Sequence, residues 1–331
     1  MTELNKSDIK KILSNWDIGK ILNYRKATKG LVSNNWIIKT NKGKFILKNP
    51  EKDINLTFEL NYLIKLKEGK FPYQIPNPIL TKSNLKWIKI NNKIFWLYQF
   101  IYGRQIQEDN NTKEEISEIA IMVSKYHNLL GKLKLSNKAK TNDLKLVLSK
   151  IKKHINQIQK PKDKKDKIFI EESNKIIPIL NNINSKFYNS LKKYSIHADL
   201  NPENLIWNKN KLKGIIDFEN VSKKVAPFLK DIAIILMYSC SLNQRLNVDK
   251  AITFLKKYQK YRLLSKQEIG TIPDTIITSY ADFFAYSYWL LVNDPKRSKI
   301  KYLKENSSAI LWYNQNKGKI RNKIKNEIFT C

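Results

Sequence analysis

The chain is poor in the residues that form covalent cross-links or bind zinc. Only two of its 331 residues are cysteine, Cys240 and Cys331, and only three are histidine. We therefore expect neither a disulfide framework nor a zinc site. Cys240 follows the apolar segment 232–238 and is interpreted as a small core residue. So low a cysteine content is typical of a protein of the reducing cytoplasm.

Long hydrophobic runs are also missing. The most apolar stretch, residues 283–292, directly follows Asp282 and is shorter than the roughly 20 residues that cross a bilayer. Residues 1–16 have no apolar run between a basic start and a cleavage site, so we expect no secretory signal. Hydrophobic residues nevertheless make up 42% of the chain, which predicts a globular protein with one large domain or two modest ones.

Acidic residues are scarce. Against 62 lysines and arginines stand 29 aspartates and glutamates, a formal charge of +33 that permits nucleic-acid, membrane or polyanion binding. The lysines are spread along the whole chain and arginine is rare, so we interpret the charge as compositional bias and expect no specific nucleic-acid or membrane partner. So few carboxylates also argue mildly against a polycationic acceptor, which needs a dense acidic wall.

The patterning of residues 1–100 predicts a small lobe rich in β-strands. Two alternating segments flank the turn 41–43 and indicate a hairpin. A helix is expected from about Asn55, with leucines at helical spacing. The predicted strands are 18–27, 35–40, 44–48, 85–90 and 93–100.

From a connector at 101–103 onward, the pattern becomes helical. Thr112 and Glu115 have the spacing of a capping box, and apolar residues follow on one helix face. The charged run 160–167 is expected to be a loop. Further predicted helices are 144–159, 168–191, 249–260 and 275–292. The expected fold class is α+β and bilobal, with a β-rich lobe at 1–100 and a larger helical lobe at 101–331.

Three oxygen-bearing side chains stand at the strand ends of a predicted hairpin within residues 195–219. Asp199 and Asn204 precede its first strand, Asp217 ends its second, and the polar turn 208–210 joins the strands. Phosphoryl transfer needs one carboxylate to orient the attacking hydroxyl and two oxygen ligands to hold magnesium against the phosphates. The three side chains are therefore candidates for a phosphoryl-transfer centre.

The same residues carry a family resemblance. The segment HADLNPEN at 197–204, with IDF at 216–218, resembles the motif pair of the aminoglycoside phosphotransferase and choline kinase superfamily, which has a protein-kinase-like fold. The resemblance implies an ATP- and Mg²⁺-dependent kinase, with 1–100 as the nucleotide-binding lobe and 101–331 as the catalytic and substrate-binding lobe. By position, the roles implied are catalytic base for Asp199, magnesium ligands for Asn204 and Asp217, and support of the catalytic loop for His197 and Asp231.

A looser resemblance covers the N-terminal lobe. It implies that Lys48 neutralises the nucleotide phosphates and pairs with Glu59, for which Glu51 and Glu68 are alternatives. The glycine-rich phosphate loop of protein kinases is absent, since residues 29–35 contain one glycine. The remaining nucleotide contacts implied are Ser33 and Asn34 near the phosphates, and Gln99 and Ile101 in the adenine hinge 98–103. Ala198 replaces a glycine common in the family, and we expect no chemical consequence.

The acceptor is less defined than the reaction. Asp282, Tyr286 and Trp289 recur at helical spacing and suit a choline-like cation, but aromatic residues at this spacing are also typical of core packing. Tyr238 and Trp312 are further aromatic candidates. Four segments resemble type II homoserine kinases and favour a small hydroxylated amino acid or amino alcohol: 36–48, 75–78, 257–268 and 272–274.

Three functional classes stay open. The first is a small-molecule kinase with a homoserine-like, choline-like or aminoglycoside acceptor. The second is a non-catalytic kinase-like scaffold of the spore-coat type, which is free to lose Asp199, Asn204 or Asp217, whereas this chain has all three. The third is nucleic-acid binding driven by charge, which predicts affinity falling steeply with salt. A monomer or homodimer is expected.

Overall fold

A computed structural model describes residues 6–27, 34–50, 55–106, 111–133, 135, 139, 141 and 143–329. It has the expected α+β architecture, with an antiparallel sheet in the N-terminal part and helices through most of the remainder.

The N-terminal part is a five-stranded sheet with two helices. The strand order is β1-β2-β3-β5-β4, and β2 and β3 form the predicted hairpin, in which Thr40 pairs with Gly43. Asn55 caps the helix after β3 through its side chain, which accepts the Phe58 amide. The elements are α1 (Lys6–Leu13), β1 (Ile21–Lys26), β2 (Asn34–Thr40), β3 (Gly43–Asn49), α2 (Leu56–Glu68), β4 (Ile88–Ile90) and β5 (Lys93–Gln99).

Helix α1 was not predicted from the sequence. An eight-residue helix is marginal by itself, and this one is stabilised by packing on the sheet. Its buried residues Ile9, Ile12 and Leu13 belong to a small separate core with Ile38 and Phe95. This core lies on the sheet, and the main core extends from α2 through the C-terminal part.

The C-terminal part is built around helix α7, in which every residue except Tyr238 is buried. Its elements are α3 (Lys113–Lys132), α4 (Leu144–Gln157), α5 (Lys164–Asn181), α6 (Lys186–Ser190), β6 (Tyr194–Ser195), β7 (Leu205–Asn208), β8 (Lys211–Ile215), β9 (Val225–Ala226), α7 (Leu229–Ser239), β10 (Ser241–Leu242), β11 (Arg245–Leu246), α8 (Val248–Gln259), α9 (Lys266–Asn293) and α10 (Lys301–Phe329). The capping box of Thr112 and Glu115 opens α3 as predicted.

Several predicted boundaries were wrong. The single helix expected at 168–191 is two, α5 and α6, and α5 begins inside the expected loop 160–167 because Asp163 caps it. Helix α9 begins before the predicted 275, at a capping box of Ser265 and Glu268, and continues through Pro273. Packing against α10 and α7 outweighs the missing proline hydrogen bond. Helix α10 was missed, since few of its residues are apolar.

Two expectations drawn from composition concern the helical part. Cys240 is fully buried in the main core, as predicted. Among the described residues, no helix combines the length and the apolar character that a membrane span requires.

Candidate active site

The hairpin of β7 and β8 brings the three candidate residues to one edge. Asn204 ends a 3-10 turn immediately before β7, and Asp217 follows β8. Leu205 pairs with Ile215, and the Ile216 amide donates to the Asn204 carbonyl over 2.9 Å. The ladder therefore continues one step past the strands and holds the Asn204 backbone beside the residue preceding Asp217.

Asp199 accepts two side-chain hydrogen bonds. Asn201 Nδ2 donates to Oδ1 over 2.9 Å, and Asn204 Nδ2 donates to Oδ2 over 3.0 Å. Burial raises the pKa of Asp199 to about 7, reinforced by the negative charge of Asp217 and opposed by Lys224. A carboxyl with such a pKa suits a general base near neutral pH. Asn201, which sequence reasoning missed, lies inside the 197–204 motif.

Asn204 is oriented by its own amide nitrogen. Besides the contact with Asp199 Oδ2, Nδ2 donates to the Asp199 carbonyl over 2.8 Å. Both contacts use the nitrogen, so the amide oxygen is directed elsewhere and is the atom that can coordinate a cation.

Asp217 is kept ionised by Lys48. Its backbone has φ 65°, a left-handed conformation uncommon outside glycine and asparagine. Burial opposes ionisation, but the charge and the 3.1 Å hydrogen bond of Lys48 Nζ outweigh it and hold the pKa of Asp217 below its usual value. An ionised carboxylate and an amide oxygen are hard ligands of the kind that Mg²⁺ takes alongside water and phosphate. The donor set therefore fits magnesium.

Lys48 has a different partner from the one expected. Its buried ammonium lies 2.6 Å from Glu219 Oε1, and within the described chain its ion pairs run to Glu219 and Asp217, not to Glu59. Burial disfavours its charge, yet the carboxylates prevail and raise the pKa of Lys48 well above its ordinary value. Glu219 was missed, although it directly follows the IDF motif.

Glu59 lies beside this pair without joining it. Its side chain is buried, and no described residue hydrogen-bonds to Oε2. Burial raises the pKa of Glu59 to about 7, although the charge of Lys48 pulls it down. The helix places Glu59 near the lysine, but Glu219 comes closer because it sits on the turn that also carries Asp217.

His197 and Asp231 hold the loop that carries Asp199. His197 Nε2 donates to the Ile216 carbonyl over 3.0 Å, which links the loop to the residue before Asp217. Asp231 Oδ1 accepts the Ala198 amide over 2.7 Å. Ala198 has φ 57°, so this alanine adopts a backbone conformation that favours glycine.

His127 contacts the other carboxylate oxygen of Asp231, Oδ2. It is fully buried, as expected for a core histidine, and burial lowers its pKa, so the ring is neutral at pH 7. Its Nε2 lies 3.4 Å from Asp231 Oδ2, and its Nδ1 lies 2.8 Å from the Tyr258 hydroxyl. A proton on Nε2 satisfies both contacts, since the carboxylate can only accept.

The remaining nucleotide-binding candidates are less completely described. Ser33 lies outside the described residues, and Asn34 begins β2, but its side chain is not described. Gln99 ends β5 opposite Phe45 with its side chain exposed, and Ile101 is buried in the connector. A Cβ on Gly103 would approach the Trp207 carbonyl to 2.4 Å, so the connector passes β7 too closely for any other residue.

The aromatic acceptor candidates differ in burial from Asp282. Tyr286 and Trp289 are 45% and 43% exposed and stack on each other, so they are not core residues. Tyr238 packs edge-on against Phe283, and Trp312 packs against Tyr313. Asp282 is buried and forms ion pairs with lysines.

Comparisons with known proteins identify the family of the chain. The sequence profile of the phosphotransferase enzyme family matches residues 24–264. The homoserine kinase of Bartonella henselae is 26% identical over 275 residues, covering 82% of each chain. The homoserine kinase of Rhizobium etli is 22% identical over 316 residues, covering 92% of this chain and 94% of its own.

Solved structures share the fold. The microcompartment-associated aminopropanol kinase superposes with a TM-score of 0.69 at 12% identity, covering 95% of this chain and 99% of its own. Spectinomycin phosphotransferase, solved with ADP and spectinomycin, gives 0.67 at 14% identity, covering 95% and 100%. These likenesses confirm the protein-kinase-like fold. Because the family profile spans most of the sequence, including the 197–217 motif, the chain belongs to the phosphotransferase enzyme family and is a small-molecule kinase.

Proposed function

We propose that the protein transfers the γ-phosphate of ATP, with Mg²⁺, to a hydroxyl of a small amino-acid-like or amino-alcohol acceptor. The observation that supports this proposal most is the setting of Asp199. Its Oδ2 accepts a hydrogen bond from the side-chain amide of Asn204, and its pKa is about 7. The homoserine kinase relatives support an acceptor of this kind, and a structural neighbour with bound ADP supports an adenine nucleotide.

In this proposal each residue has one task. Asp199 accepts the proton of the acceptor hydroxyl and aims its oxygen at the terminal phosphate. Asn204 and Asp217 would hold Mg²⁺, which neutralises phosphate charge when bound. Lys48 would contact the phosphates, with Glu219 fixing its ammonium. Glu59, Ser33, Asn34, Gln99 and Ile101 stay proposed contributors to the nucleotide site, and His197 and Asp231 proposed supports of the loop.

Asp199→Asn tests the assignment. The amide cannot accept the proton, so kcat should fall on the order of a hundred- to ten-thousand-fold while ATP affinity changes little. ADP formation is measured with L-homoserine, choline, amino alcohols and aminoglycosides as acceptors. Asp249→Asn, at an exposed aspartate paired with Lys323, is the matched control. A wild type without ATP turnover on any acceptor would instead support the scaffold alternative.

A further inference from the structure

A cluster of lysines surrounds the buried Asp282 of α9. Lys150 Nζ of α4 lies 2.7 Å from Oδ1, and Lys224 Nζ, next to β9, lies 3.3 Å from Oδ2. Lys230 Nζ of α7 lies 4.0 Å from Oδ2. Three ammonium groups from three separate segments thus face one carboxylate, and their convergence is a product of the tertiary structure. We call these four residues the Asp282 lysine cluster.

The cluster has more positive charge than Asp282 can balance. Three ammonium groups face one carboxylate within the cluster, and the charges of Asp231 and Asp199 act on Lys230 and Lys224 from outside it. Lys230 is the least satisfied member, since its side chain is 2% exposed and Nζ donates to no described residue. Burial lowers its pKa to about 8, with Asp282 opposing. A buried ammonium without an acceptor is costly, so this site favours an added anion.

The cluster is adjacent to the catalytic edge. The positive charge of Lys224 lowers the pKa of Asp199, so the ammonium that pairs with Asp282 Oδ2 also acts electrostatically on Asp199. Lys230 directly precedes Asp231, and Asp231 Oδ1 accepts a hydrogen bond from the backbone amide of Ala198, the residue before Asp199. Lys224 and Lys230 therefore lie on segments next to the loop that carries Asp199.

Resting on the proposed function, we propose that Lys224 and Lys230 bind a carboxylate of the acceptor whose hydroxyl Asp199 deprotonates. Asp282 and Lys150 are positioning residues that hold the two lysines in place. A carboxylate of the substrate would supply the hydrogen-bond acceptor that Lys230 Nζ lacks, and its negative charge would offset the positive charge of the lysines. The ammonium groups repel a choline-like or aminoglycoside cation, so the cluster selects against both kinds of acceptor.

The test compares acceptors that differ in one group. We measure kcat/KM for L-homoserine, its methyl ester and L-homoserinol in the wild type, Lys230→Met and Lys224→Met. The wild type should prefer the free carboxylate by about 10- to 100-fold, and each variant should lose most of that preference. Lys224→Met should also slow all three acceptors near pH 7, because losing its charge raises the pKa of Asp199, so the ratio between acceptors is the measure of the subsite. Lys175→Met, which breaks ion pairs with Glu171 and Glu172 of the same helix, should keep the wild-type preference. Methionine suits the buried position of Lys230, so the variant is expected to fold.

Each outcome decides a separate point. A preference for carboxylate that survives both substitutions overturns the assignment of these lysines, and so does faster transfer to choline or to an aminoglycoside. Faster transfer to glycerol 1-phosphate than to glycerate would make the site a phosphate subsite and overturn the carboxylate. If no acceptor raises ADP formation, the proposed function fails. The subsite is then tested separately, by measuring the thermal unfolding temperature with and without a carboxylate ligand. L-Homoserine should raise the Tm of the wild type but not of Lys230→Met; equal shifts would overturn the inference.

Discussion

Lys48 Nζ lies 2.6 Å from Glu219 Oε1, and this ion pair ties strand β3 to the turn after Asp217. Both side chains are buried, at 5% and 8% exposure, so solvent screens the pair little. The same ammonium lies 3.1 Å from Asp217 Oδ1, so it stands between two carboxylates. This ion pair joins the N-terminal sheet to the turn that follows the β7–β8 hairpin.

Glu219→Gln should weaken that connection. Lys48 keeps Asp217 as a partner but loses the closer carboxylate, so the free energy of unfolding should fall by about 1 to 3 kcal/mol. Glu171→Gln, at an exposed glutamate paired with Lys175, is the control and should cost clearly less, because solvent screens an exposed pair. Urea unfolding measures both variants, and equal costs would show that burial of the Lys48 pair contributes nothing extra.

Glu59→Gln should make stability less dependent on pH. The pKa of Glu59 is about 7 in the folded protein against an ordinary 4.5, so the folded state binds the proton more tightly. Its contribution therefore falls as pH rises from 4.5 to 7 and stays low above pH 7. The variant should match the wild type at pH 4 and exceed it by up to about 3 kcal/mol at pH 8. Urea midpoints across pH 4 to 8 measure this, and a less stable variant at pH 8 would contradict it.

The acceptor kcat/KM should report the ionisation of Asp199. Because its pKa is about 7 and the base must be ionised, the rate should fall about tenfold per pH unit well below pH 7. Asn201→Ala removes the hydrogen bond to Oδ1, which favours the ionised form, so the profile should move to higher pH. Kinetics from pH 5 to 9 test this. A shift to lower pH would refute the role given to Asn201.

Ala198→Gly should be nearly neutral for stability. Glycine relieves the left-handed backbone at φ 57°, worth about 1 kcal/mol, and loses a buried methyl group worth about 0.8 kcal/mol. The control is Ala120→Gly inside α3, where the buried methyl is lost and helix propensity worsens, at a cost of about 1 to 2 kcal/mol. Thermal or urea unfolding compares the two. Similar losses would mean that the strain at Ala198 is small.

The sequence by itself determined the hairpin of β2 and β3, the capping box of α3, and the hairpin that brings Asn204 and Asp217 to one edge. These features depend on residues close in sequence, since turns, caps and strand ends are local. Tertiary structure alone decided that Lys48 pairs with Glu219 and not with Glu59, and that three lysines converge on Asp282. Such contacts join distant segments, and among so many lysines and several glutamates the identity of each pair depends on which side chains the packing brings together.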